Sequence, residues 1–197
     1  LDRPGSVQSE LRVGHVGVAR TTPDYLPLSI ANLLFGGTFT SRLNLNLREQ
    51  HGFTYGVRSR FSFRSRPGPF TVSTAVGNDV TAPAVREILT ELETLVRDGP
   101  TEEEVDAARD YAAGVFGLHL ETAGQIASRL NQIIVYGLPD DYFYLYRENL
   151  RAVSTDEVTA AVRAHVRPDE VQVIIVGDAD SILSSVEALA LGPLQVV

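Results

Sequence analysis

The sequence predicts an α+β protein: a two-layer sandwich in which helices pack on one face of a mixed, mostly antiparallel sheet. Three observations carry this. Hydrophobic spacing along the chain switches between a period near that of a helix and a period of two. The element order is strand, two helices, hairpin, a run of helices and a final strand, which pairs helices with a sheet rather than building a bundle. The composition, 44% hydrophobic and 21% charged over 197 residues, is that of a chain that buries a core. That length is expected to form a single domain over residues 1–197.

Residues 7–20 mix Val and Leu with polar residues, which fits a long strand that a glycine bends. Thr21-Thr22-Pro23-Asp24 reads as a turn into a helix capped by Asp24. Leu26, Ser29, Ile30, Leu33 and Leu34 then keep helical spacing until Gly36-Gly37, which end one helix and launch the next. The next, from about Thr40 to Gln50, carries Leu43 and Leu47 on one face and stops at His51-Gly52. From Phe53 the period is two. It is two again from Phe70 to Val76 after the turn at Arg66-Pro67-Gly68-Pro69, so the two runs form an antiparallel hairpin.

Helix resumes after Asn78, with Val85, Ile88, Leu89, Leu92, Leu95 and Val96 on one stripe, and closes at Asp98-Gly99-Pro100. Thr101 and Glu104 have the spacing of a capping box, opening a helix to about Leu120 that is followed by another from Thr122 to Tyr136. Gly137-Leu138-Pro139 breaks the chain, and Asp140 caps a short helix rich in Tyr142, Phe143, Tyr144 and Tyr146. Ser154 and Glu157 form a second capping box for a helix to about Val166. Val171 to Val176 is apolar on both faces, as for a strand buried on both sides, and a last helix runs near Ser181 to Leu189.

Composition removes whole chemistries. All 17 basic side chains are arginine against 25 Asp and Glu, and a net charge of −8 argues against a general nucleic-acid binder. The absence of cysteine excludes disulfides, thiolate zinc sites, iron–sulfur clusters and thiol nucleophiles. His15, His51, His119 and His165 are too far apart for H-E-x-x-H or H-x-x-E-H, so no helix-borne zinc pair is expected and no cofactor in this segment. His119-Leu120-Glu121 matches the H-x-E of zinc deaminases, but their P-C-x-x-C partner cannot exist here. His165 shares a helical face with Val158, Ala161 and Val162 and reads as a packed or hydrogen-bonded residue.

Without lysine there is no P-loop, and G-x-S-x-G is absent. Asp178 and Asp180 are too few oxygens for calcium and read as turn or cap residues. No apolar run approaches the roughly 18 residues of a membrane span. Methionine is absent and the chain starts at Leu1, so a segment of a longer polypeptide is expected.

Two segments point to a site. In Val57 to Arg66, strand alternation places Arg58, Arg60, Arg64 and Arg66 on one face and Phe61 and Phe63 on the other. That face is either ordinary solvated surface or an anion-attracting wall for a substrate or partner. In Ser41 to Val57, Arg48 lies near a helix end, Gly52 permits a reversal and Tyr55 opens the next strand, so their polar tips can converge. The plain alternative is an arginine satisfying terminal carbonyls and a tyrosine at a strand edge.

The chain resembles the pitrilysin or insulinase-like zinc peptidases, the group that includes the mitochondrial processing peptidases, and specifically their C-terminal, non-catalytic domain. The resemblance runs from Gly14-His15-Val16-Gly17 and Thr22-Pro23-Asp24-Tyr25 through Phe35-Gly36-Gly37, Ser41-Arg42-Leu43, Leu47-Arg48-Glu49 and Gly52-Phe53-Thr54-Tyr55. It continues in Gly99 to Glu104, Tyr136-Gly137-Leu138-Pro139 and Val173 to Asp178. Each piece is short; their order and spacing together are specific. One departure is Thr38, where many relatives have a third glycine.

The resemblance implies a processing-peptidase-like metallohydrolase fold and a two-domain clamshell. One homologous half holds zinc through H-x-x-E-H, either fused upstream or as a separate subunit, and the other closes over an extended peptide. It also implies that Arg48 and Tyr55, seven residues apart as in the family, hydrogen-bond the substrate backbone beside the scissile bond. The expected partners are that zinc-bearing domain and a peptide substrate, with zinc in the partner and the segment inactive alone. The alternative within the same fold is a non-proteolytic scaffold, like the core subunits of respiratory complexes.

Overall fold

β1 (Gln8–Val16), β2 (Val57–Phe61), β3 (Pro69–Gly77) and β4 (Gln172–Val176) form a four-stranded sheet in the order β2-β3-β1-β4, with every ladder antiparallel. The structure is a computed structural model that describes all of residues 1–197. Isolated parallel bridges join Asp2 to Gly177 and Ala19 to Arg64, which makes the sheet mixed only at its margins. Register sorts the side chains. Leu11 lies opposite Thr74 and Ile175, Val13 opposite Val72 and Val173, and Phe61 opposite Phe70, so these residues share one face.

Seven α-helices supply the second layer: α1 (Tyr25–Asn32), α2 (Thr81–Asp98), α3 (Glu102–Val115), α4 (Ala123–Tyr136), α5 (Tyr142–Ala152), α6 (Thr155–His165) and α7 (Ala179–Glu187). The stripe on α2 is buried as its spacing requires, with Val85, Ile88, Leu92 and Leu95 facing inward. They join Leu11, Val13, Phe70 and Val72 from the sheet, and Leu28, Ile30 and Leu47, in one continuous core. Each such side chain contributes about 1.5–3 kcal/mol by leaving water. The opposite face of the sheet, carrying Glu10, Arg12, Arg58, Arg60 and Ser73, has no helix over it.

Both capping boxes form: Thr101 and Glu104 exchange bonds at the start of α3, and Ser154 and Glu157 at the start of α6. A third, Thr122 with Gln125, starts α4. Other expectations need correction. Asp24 and Asp140 do not cap. Asp24 stands at the start of α1 without a side-chain cap bond, its carboxylate taken instead by His165 Nε2 at 2.7 Å, and α5 begins after Asp141, also without one.

The first strand stops at Val16, because Gly17 turns out to bond Gly68 O. The second strand starts only at Val57, and α3 ends at Val115, a 3₁₀ turn at Gly117–Leu120 following it. β4 is not buried on both sides. It is an edge strand, and Ile174 is 52% exposed on the uncovered face.

Candidate functional site

The predicted helix from Thr40 to Gln50 is π-helical over Asn44–Gln50, with His51 N–H reaching Asn46 O five residues back. Such wide turns are rare and concentrate at functional sites. Asn44 sets its position. The side chain is 5% exposed, and its amide nitrogen lies 3.0 Å from Thr38 O, 3.1 Å from Ser41 Oγ and 2.9 Å from Val57 O. Its Oδ1 accepts from Val57 N–H at 3.2 Å. Asn44 thus satisfies both backbone groups of the first residue of β2, as a neighbouring strand would.

Two further ties hold the same segment. Arg42 makes a bidentate pair with Glu104, at 2.5 and 2.6 Å, and donates to Gly99 O at 3.1 Å. The Glu104 bonds raise the Arg42 pKa above its ordinary value. For Glu104, burial pushes the pKa up, but the bonds from Arg42 and Thr101 outweigh it and the carboxyl sits below its usual range. Asn46 Nδ2 donates to Glu87 and Glu91 on α2, at 3.0 and 2.9 Å.

Arg48 projects from this framework half-buried. Its guanidinium lies 3.7 Å from the centroid of Phe39, itself an exposed ring. Nη1 is 3.2 Å from Glu49 Oε1 without hydrogen-bond alignment, and it is enclosed with no hydrogen-bond partner. An enclosed donor with no acceptor carries a desolvation cost of about 1–3 kcal/mol.

Tyr55 is 96% exposed, and no hydrogen bond or ring contact joins it to Arg48 or to any other residue. Its backbone is held all the same. Thr54 Oγ1 bonds Gly56 N–H and lies 3.0 Å from Gly56 O, and Thr74 Oγ1 on β3 is 2.9 Å from Thr54 Oγ1. Gly52, with φ of +65°, makes the reversal between the two site residues in a conformation that side-chain-bearing residues rarely adopt. Arg48 and Tyr55 thus flank one anchored turn, with no contact between the two tips that the sequence spacing expects to converge. That spacing missed Asn44, Phe39 and Thr74, whose parts depend on contacts between distant segments.

Gly36-Gly37 close a second π-helical turn, Leu33–Gly37. A Cβ on Gly36 would lie 2.7 Å from Ser59 N, so the residue brings this turn against β2. The arginine face is only partly strand. Arg58 and Arg60 alternate with buried Ser59 and Phe61, but β2 ends at Phe61, so the ladder does not place Arg64 and Arg66 on the same face; both are exposed.

Away from this turn, Arg20 is 4% exposed. It stacks 3.4 Å from the Tyr25 ring centroid and donates to Tyr142 Oη at 3.0 Å. Burial raises the pKa of Tyr142 and Tyr146. Asp178 accepts from Ser181 Oγ, and Asp2 from the first amide of α7. No group of three or more His, Asp or Glu side chains could hold a metal ion, and no helix is long and apolar enough to cross a membrane. A groove of about 850 Å³, lined by residues such as Val173, Ile175, Ile182 and Val186, lies apart from Arg48 and Tyr55.

Comparison with known proteins gives these relations. The family described as the peptidase M16 inactive domain matches residues 2–111. An uncharacterized zinc protease of Mycobacterium tuberculosis, Rv2782c, is 31% identical over 137 residues, 69% of this chain and 31% of that protein. The chain thus spans about a third of the length of the curated relatives it matches. The crystal structure of a peptidase M16 inactive domain from Pseudomonas fluorescens superposes with a TM-score of 0.84 at 27% identity, covering 90% of this chain and 42% of that one. A chain of complex III2 from Candida albicans shares the fold, with a TM-score of 0.78 at 13% identity over 95% of this chain and 48% of its own.

Proposed function

The chain belongs to the peptidase M16 inactive domain family, and from that premise we propose that it is the substrate-holding half of a zinc metalloendopeptidase. In this reading it closes over an extended peptide, as the C-terminal half of a longer chain or as a separate subunit. Its sequence carries no H-x-x-E-H, and in this reading zinc and hydrolysis fall to a partner half that does. The observation that carries the reading is the enclosed, unpartnered Nη1 of Arg48 on the same anchored turn as the free hydroxyl of Tyr55.

The chemistry suits a peptide main chain. A guanidinium stays protonated at any working pH and offers several donors, and a phenol adds one directional donor without charge. Both fit carbonyl oxygens, and holding those in attack geometry is what lowers the entropic part of the barrier.

The test is kinetic. With the H-x-x-E-H half supplied, Arg48→Ala and Tyr55→Phe are expected to lower kcat/KM. A contact that strengthens as negative charge develops is worth about 2.7–4 kcal/mol, by analogy with an oxyanion-hole donor, and its loss appears in kcat. One that only binds the ground state shows in KM. Unchanged kcat/KM in both variants would refute the proposal and favour the scaffold reading, which the fold shared with the complex III chain also accommodates.

A further inference from the structure

Four arginines lie within nine residues, Arg58, Arg60, Arg64 and Arg66; all are exposed and none of their side chains makes a hydrogen bond or an ion pair. No acidic residue lies between them. The rest of the sheet adds almost no negative charge, since Glu10 is the one acid in the four strands and it is taken up by Arg12 at 3.1 Å. On a protein of net charge −8, the uncovered face at Arg58 and Arg60, with Arg64 and Arg66 exposed just beyond the end of β2, is a local positive island.

Its geometry is more specific than its charge. Arg58 lies opposite Ser73 and Arg60 opposite Thr71, so the two long side chains stand beside a strip of small polar ones. The outer edge of β2 is closed to strand addition: Asn44 takes both backbone groups of Val57, and Gly36 sits against Ser59 N. A ligand must therefore lie over the face rather than extend the sheet.

We propose that the uncovered sheet face at Arg58 and Arg60 docks acidic side chains of the extended peptide, which makes these two residues determinants of substrate preference. This rests on the substrate-holding reading above. Two arginines two positions apart on a strand are about 6.6 Å apart, the repeat at which an extended peptide presents alternate side chains. Tyr55 lies three and five residues before them, outside β2, so the two arginines closely follow, in the chain, the turn that carries Arg48 and Tyr55. A long polyanion such as nucleic acid suits the island less, because it would run from it onto an acidic surface.

The test is binding of labelled short peptides to the full chain by fluorescence anisotropy. A peptide with Glu at alternate positions is compared with its Gln counterpart and with a DNA oligonucleotide of matched charge. The Glu peptide is expected to bind roughly tenfold more tightly at about 0.02 M salt, and the difference to collapse near about 0.5 M. The double variant Arg58→Gln with Arg60→Gln abolishes the difference; Arg97→Gln, an exposed arginine paired with Asp98 on α2, leaves it intact.

Equal affinity for the Glu and Gln peptides overturns the proposal, as does a preference that survives in the double variant. A DNA complex that is tighter and depends on the same two arginines overturns it in favour of nucleic acid. Arg48→Ala separates this from the underlying reading. It should weaken both peptides equally, and if it weakens neither, the backbone grip fails while the Glu-to-Gln difference still reports on Arg58 and Arg60.

Discussion

Replacing Asn44 with alanine tests whether the site's framework is held as described. The substitution leaves Val57 N–H and Val57 C=O without their partners, and Val57 is buried. It also removes the donor to Thr38 O. Each backbone group stranded away from water costs about 1–3 kcal/mol, so the two at Val57 together predict a loss of about 2–6 kcal/mol. Against the roughly 5–15 kcal/mol by which folded domains exceed their unfolded states, that is a large share.

Urea unfolding followed by circular dichroism should show a lower midpoint with an unchanged m-value. Asn44→Asp should be worse than alanine. It keeps the acceptor for Val57 N–H but sets a carboxylate oxygen against the carbonyls of Val57 and Thr38, where the amide nitrogen stood at 2.9 and 3.0 Å. In Asn44→Ala the Val57 amide should also exchange its hydrogen faster than the amides at the centre of β3. A stability change within about 0.5 kcal/mol, the usual spread for surface substitutions, would refute the account, as would an aspartate variant more stable than the alanine one.

The remaining predictions concern packing and pH. Gly36→Ala places a methyl 2.7 Å from Ser59 N and Oγ, so the turn must move off β2; a loss of about 1–3 kcal/mol is expected, and wild-type stability would show that the contact has slack. Glu104 has a folded pKa below its ordinary 4.5, so its contribution is complete above 4.5 and disappears as pH falls through the lower value. Glu104→Gln should therefore be less stable than wild type by about 1.5–3 kcal/mol at pH 6, the gap closing as the wild-type carboxyl protonates, and a gap that persists once Glu104 is protonated assigns the loss to something other than charge.

Tyr142 and Tyr146 have folded pKa values raised above 10.0, so their contribution is intact below 10 and lost as pH rises beyond it. Two of the seven tyrosines should ionise late, together with loss of far-ultraviolet dichroism. All seven ionising as one class before unfolding would contradict the burial described.

How much of this was legible in the sequence depended on the range over which each signal acts. Thr101 with Glu104 and Ser154 with Glu157 were readable because a capping box is closed within one helical turn. The α2 stripe was readable because its period belongs to a single helix. Val171–Val176 was misread because composition reports apolarity and strand order decides exposure: only the β2-β3-β1-β4 arrangement makes β4 an edge. Asp24 failed as a cap because His165, 141 residues away in sequence, takes its carboxylate. At the site, the spacing of Arg48 and Tyr55 was visible. The anchoring of their turn was not, since Asn44 acts across 13 residues and Thr74 on Thr54 across 20.

Two arginines share a stacked guanidinium but differ in what surrounds it. Arg20 and Arg48 both stack on an aromatic ring, at 3.4 and 3.7 Å. Stacking uses the face of a guanidinium and leaves its N–H groups directed outward in the plane, so the cation loses rotational freedom without spending its donors. In Arg20 that plane is closed off by Tyr25, Tyr136 and Tyr142, and the group serves the core. In Arg48 the stacking ring is itself exposed and the side chain reaches solvent; each arginine keeps one enclosed donor without an acceptor, Nε in Arg20 and Nη1 in Arg48, so the difference lies in exposure. In the substrate-holding reading, a guanidinium held by its ring in the free protein has less ordering entropy to lose on binding, which leaves more of each new hydrogen bond as affinity. Removing the ring tests this directly: Phe39→Ala keeps every donor of Arg48 but frees its side chain, and it should weaken peptide binding less than Arg48→Ala does. An effect of Phe39→Ala equal to zero would mean that the stacking does not orient the group.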